Sequence, residues 1–183
     1  FAGIIIAPIG GIVFGMALVG IIIVIFAKRR PAVVNRTFGR LQIISSAWFA
    51  LTHGANDGQK TMGIIVLILF SADLISEIHM PLWVIFAAAS AMGLGTFFGG
   101  YKVIKTLGLR VTRLKPYQGF AAETGGGLML AVFAILGIPA STTHAITGTI
   151  MGAGAARRIR AVRWKVSRQI IFSWIITIPG AAG

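Results

Sequence analysis

Residues 51–65, LTHGANDGQKTMGII, set His53, Asn56, Asp57, Gln59 and Lys60 between two apolar runs. A carboxylate and an ammonium three residues apart share one face of a helix and partly neutralise each other. In a membrane each would otherwise cost about 2.5–3.5 kcal/mol at the helix centre. A structural ion pair would account for the charges alone. It leaves Gly54 and Gly58 unexplained, and these predict a break in the helix. A broken helix frees N–H groups at one new end and carbonyls at the other, which is how transporters build sites for anions and cations near the bilayer midplane.

A second polar stretch, GIPASTTHAITG, covers residues 137–148. Pro139 is expected to stop one helix, and Ser141, Thr142 and Thr143 to open the next. One hydroxyl suffices for an N-cap. Three in a row, with the free N–H groups and positive end of a helix, make a cradle for a tetrahedral oxyanion. Glu123, in GFAAETGGG, is an acidic residue inside an apolar run. It either ends a helix near the interface or faces the polar cavity, where it would titrate or bind a cation; the second is the preferred reading. His53 and His144 are weaker candidates as ligands, since a histidine near a helix break often only bonds freed carbonyls. Gln59 belongs with them as a weaker candidate.

Other chemistries are excluded. GANDGQKT lacks the spacing and the preceding strand of a phosphate-binding P-loop. There is no HExxH, no cluster with metal-ligand spacing, and no base and acid paired with Ser141, so neither an enzyme nor a metal site is expected, and no cofactor. The chain has no cysteine, which removes disulfides and thiolate chemistry.

These residues need elements to hold them. Of 183 residues, 56% are hydrophobic and 11% charged, against roughly a quarter charged in soluble domains. Mean hydropathy is +0.88. The composition predicts an all-α integral membrane protein, a polytopic bundle embedded in the lipid bilayer. The net charge of +13 is not a nucleic-acid signature, because all but one of the 17 basic residues fall in three clusters, 28–40, 102–115 and 157–168. The exception is Lys60. Clusters flanking uncharged segments read as cytoplasmic loops of a cell-membrane protein.

A single membrane domain over 1–183 is expected, with a spanning helix at 1–27, a broken one at 41–70, a third at 81–100, a helical hairpin at 117–157 and a last helix starting at 166 and cut off at 183. If all three clusters lie on one side, the broken segment must cross fully, and the two short pieces of 117–157 suit a re-entrant hairpin. The loop 71–80, with Asp73 and Glu77 and no Lys or Arg, then lies outside. Pairs at helical spacing, Gly11 with Gly15, Gly95 with Gly99 and Gly148 with Gly152, predict close helix packing. The absence of an initial Met and an apolar last segment read as a fragment of a longer protein.

HGANDGQKTMGI and GIPASTTHAITGTIMG together resemble the paired signatures of the inorganic phosphate transporter (PiT) family. GTFFGGYKVIKTLG, GFAAE and RWKVSRQIIFSWIITIPGAA fit as well, so the resemblance covers nearly the whole chain. It implies two such repeats in inverted orientation, this chain being similar to the second and the first being its missing partner. It further implies that Asn56 and Asp57 bind substrate and cation, that Ser141, Thr142 and Thr143 contact phosphate, and that Glu123 is required for transport. His53 precedes the signature as in many second repeats.

One position departs from the sodium-coupled pattern. There a second Asn suits a sodium site; here the residue is Lys60. A fixed ammonium repels Na+ and can sit beside phosphate in its stead. NDGQK resembles the bacterial low-affinity Pit subgroup of proton-coupled, metal-phosphate carriers. The expectation is therefore phosphate transport by proton symport, with Asp57 or Glu123 carrying H+. Sodium-coupled phosphate transport, a sulfate permease and a non-transporting structural membrane subunit are the alternatives. Two copies could associate as a homodimer.

Overall fold

The computed structural model describes residues 2–105, 111–138 and 141–182, with side chains at 5–100, 105, 111–138 and 141–177. Six α-helices follow one another: α1 (Ala2–Ile25), α2 (Pro31–Ser71), α3 (Leu82–Lys105), α4 (Pro116–Ile135), α5 (Thr142–Ala155) and α6 (Trp164–Ala182), with a 3-10 turn at Ile159–Ala161. No strand occurs among the described residues. Among the described residues, three helices are long and apolar enough to cross a membrane: Ile5–Ile25, Leu82–Gly100 and Pro116–Ile135.

Local chemistry sets the helix ends. Pro31 and Pro116 each occupy the first turn of their helix, where a missing N–H costs nothing. Gln118 Oε1 accepts from the Lys115 N–H at 3.0 Å at the start of α4. Helix α4 ends through Gly137, at φ +65, with Ile138 N–H donating to Phe133 O and Gly137 N–H to Ala134 O. This left-handed C-terminal motif favours glycine. The stop expected from Pro139 thus falls to Gly137; Pro139 and Ala140 lie outside the described residues, as do 106–110 of the second basic cluster and Gly183 of the last span.

The expected break at 53–60 is not there. Helix α2 runs unbroken for 41 residues through both Gly54 and Gly58. Glycine weakens a helix by about 1 kcal/mol but keeps its N–H, and no proline lies between Pro31 and Pro81. The polar side chains also reinforce the helix rather than compete with it. Thr52 Oγ1 donates to the Trp48 carbonyl, Asn56 Nδ2 to that of Thr52 and Thr61 Oγ1 to that of Asp57, each one turn back.

Helix α4 is the centre of the bundle, and its three consecutive glycines explain how. Successive helical residues point about 100° apart, so three in a row open three faces. Gly125 lies against Phe14 and Leu18 of α1, Gly126 against Phe49 of α2 and Thr149 of α5, and Gly127 against Trp48 of α2. Contacts rise together in number along α2 and α4 (Ser45 with Glu123, Asn56 with Leu130), so these helices run parallel. Helices α1 and α5 are also parallel. Gly11 and Gly15 meet the backbone of Ala145, Thr149 and Ala153, while Gly148 and Gly152 meet that of Pro8 and Ile12. That seam realises two of the three expected glycine pairs. Nothing lies within 4 Å of where a side chain would sit at Gly95 or Gly99.

All three basic clusters gather at one end. Arg163 N–H donates to the Val111 carbonyl (2.9 Å) and Thr112 Oγ1 to that of Ala161 (3.2 Å), joining the second cluster to the third. Phe38 packs edge-on against Phe26 and Phe120, joining the first. The loop with Asp73 and Glu77 caps the far end of α2. Helix α5, at 14 residues, is about 21 Å long. Its N-terminus meets α2 at Asp57, 14 residues short of Ser71, so the α4–α5 turn sits part-way along α2.

Candidate functional site

Helix α2 carries its polar side chains in two groups about 18 Å apart along its axis. The upper group centres on Asp57. His53 Nε2 stands 3.3 Å from its Oδ2 and Lys60 Nζ 3.2 Å from its Oδ1, both one turn away on the same helix. Thr142 Oγ1, at the first turn of α5, donates to Oδ2 at 3.0 Å. Asp57 is 29% exposed and Lys60 45%, so the pair borders an opening rather than a sealed core. Beside it, Ser141 caps α5 by accepting the His144 N–H at 3.4 Å, and the His144 ring lies against Trp174 of α6 with centroids 3.9 Å apart.

Asn56 is buried and turned away from this cluster, donating to the Thr52 and Leu130 carbonyls at 3.0 and 3.3 Å. Its amide joins α2 to α4. Gln59 and Thr143 are exposed. The structure therefore brings together His53, Asp57, Lys60 and Thr142, with Ser141 and His144 adjoining them.

Glu123 belongs to the lower group. From α4 it meets α2, where Ser45 Oγ donates to Oε2 at 2.5 Å and Gln42 Nε2 to Oε1 at 3.3 Å. Sequence reasoning missed both partners. The signal was present: Gln42 and Ser45 are polar, three apart and on one face of an otherwise apolar run, LQIISSAWFA. Among the described residues no group of three His, Cys, Asp or Glu could hold a metal ion.

A carboxylate beside an ammonium and an imidazole, next to hydroxyls at a helix N-terminus, is an arrangement that can hold a charged solute. The sequence profile of the phosphate transporter family matches residues 1–183. The chain belongs to that family.

Within the phosphate transporter family, the chain is 47% identical over 180 residues to a "probable low-affinity inorganic phosphate transporter" of Rhizobium meliloti strain 1021, covering 98% of this chain and 54% of that protein. To the protein of the same description in Bacillus subtilis strain 168 it is 40% identical over 179 residues, covering 97% and 54%. A solved structure described as "the sodium-dependent phosphate transporter" superposes with a TM-score of 0.70 at 31% identity, covering 80% of this chain and 37% of that one. The chain thus spans about half the length of these curated relatives. Membership and the apolar helices make it an integral membrane protein.

Proposed function

We propose that the protein carrying this chain is a secondary active transporter that moves inorganic phosphate across the membrane together with H+. The observation that carries this reading is the Asp57–Thr142 hydrogen bond, which brings an acidic and basic cluster on α2 to the N-terminus of α5. Helix α5 is too short to cross about 30 Å of hydrocarbon, and its N-terminus meets α2 part-way along. Both facts support a re-entrant α4–α5 hairpin whose tip bears the binding hydroxyls. The basic end would face the cytoplasm of the cell membrane, and the part of the protein beyond this chain would supply the rest of the cavity.

The ion pair supports proton coupling. A proton arriving on Asp57 removes the charge that holds Lys60 and His53. The ammonium then turns to phosphate, while Thr142, Ser141 and Thr143 donate their hydroxyl hydrogens to its oxygens. Hydrogenphosphate can donate its own O–H to the carbonyl oxygen that a protonated Asp57 keeps, and sulfate has no O–H to donate, so Asp57 also favours phosphate. Glu123 would accept or relay the same proton from its place between α2 and α4.

The test is uptake of radiolabelled phosphate by the full-length protein in cells lacking their own phosphate carriers. A pH gradient without sodium should drive it, and sodium without a pH gradient should not. Uptake under sodium alone would discard proton coupling and favour the mode named for the structural neighbour. Sulfate uptake without phosphate uptake would discard the substrate.

A further inference from the structure

The basic end of the bundle carries charge that this chain does not neutralise. Its four acidic residues are Asp57, Asp73, Glu77 and Glu123. Asp57 is held by His53 and Lys60, Glu123 lies between α2 and α4, and the other two sit in the loop at the opposite end. At the basic end, Arg36 and Arg40 of α2 stand one turn apart, a spacing at which like charges repel. Both are exposed, and with Val33, Thr37 and Leu41 they line a cavity of about 370 Å³.

We infer that this cavity is a binding site for an anionic phospholipid of the leaflet at the basic end. Two guanidinium groups one turn apart form a fork for a phosphodiester, because each can present parallel N–H groups to its oxygens. Such clusters immediately beside a membrane span attract anionic headgroups. The apolar part of a lipid also has its place. At about 100° per residue, Leu41, Ile44 and Leu51 continue the face of Val33, Thr37 and Arg40 towards the middle of the bilayer. Ile44 and Leu51 are 67% and 68% exposed. The helix thus offers a charged headgroup seat followed by an uncovered apolar track. A free phosphate would use only the first, and this is what selects a lipid. The headgroup seat, which ends at Leu41, lies 16 residues along α2 from Asp57 and does not depend on the transport reading.

Thermal melting of the purified full-length protein in a neutral detergent tests it, with added dioleoylphosphatidylglycerol, dioleoylphosphatidylcholine or inorganic phosphate. A ligand that binds the folded state raises the melting temperature. Phosphatidylglycerol should raise it by several degrees in the unaltered protein and phosphatidylcholine by much less. R36Q/R40Q should lose at least half of that shift, while R158Q/R160Q, with the same loss of charge elsewhere on that end, should keep it. Retention of the full shift by R36Q/R40Q would overturn the site. So would an equal, Arg36- and Arg40-dependent shift with inorganic phosphate, which would hand the cavity to the free anion. If the double variant does not fold, the single variants R36Q and R40Q decide, and a wild-type shift in both overturns it.

Discussion

The two carboxylates that meet α2 inside the bundle are held in opposite ways. Glu123 takes both of its hydrogen bonds from another helix, from neutral donors on α2. Asp57 is balanced mainly within its own helix by His53 and Lys60, and among the described residues Thr142 alone reaches it from elsewhere. One arrangement fastens two helices, and the other gathers charge where α2 meets α5. The difference separates a tie between helices from a charge cluster built mainly on one.

The sharpest way to break that distinction is Asp57→Asn. Phosphate uptake should fall roughly tenfold to a hundredfold, the rate equivalent of a charge-assisted interaction of about 1.5–3 kcal/mol, while the melting temperature changes little. Unimpaired uptake would make the cluster merely structural. Glu123→Ala should lower uptake too but, unlike Asp57→Asn, also lose about 1–3 kcal/mol in thermal or denaturant unfolding, because the Gln42 amide loses its acceptor on α4 and Ser45 keeps only the Gln42 carbonyl. Glu123→Gln should recover part of that, and an unchanged stability in the alanine variant would remove the tie.

Lys60→Asn comes next. Uptake driven by a pH gradient should drop by roughly tenfold, about the value of one partly screened ion pair, and sodium should begin to stimulate it. If sodium has no effect on that variant, Lys60 is not what excludes the cation. The smallest change is expected from Thr142→Val, which removes a hydroxyl and keeps the shape. It should cost about 0.5–1.5 kcal/mol in transport, a few-fold in rate, and leave unfolding almost untouched. A loss of stability as large as that of Glu123→Ala would mean that the two carboxylates are fastened alike.

Much of this was legible in the sequence, because hydropathy and charge act over long stretches. The helices, the clustering of basic loops and the pairing of Asp57 with Lys60 follow from local spacing. What was not legible depended on partners. Gly11 with Gly15 and Gly95 with Gly99 carry the same signature, yet one pair is packed against a neighbouring backbone and the other is open, since spacing says that a helix can be approached but not by what. The chemistry at 53–60 was read as a break because glycine lowers helix propensity. In the structure the side chains return their hydrogen bonds to the helix itself, and α2 stays whole. Gln42 and Ser45 went unnoticed because a neutral polar residue in an apolar run costs little until its acceptor on another helix is known.

The unbroken α2 has a mechanical consequence. At 41 residues it is a rod of about 60 Å, roughly twice the thickness of the hydrocarbon layer. Glu123 grips it near Ser45, about 18 Å from Asp57. Trp48, Phe49 and Asn56 are seated on α4 as well, so a tilt of α2 must carry α4 with it. The rod couples its two ends: a tilt at the basic end is carried, together with α4, to the level of Asp57.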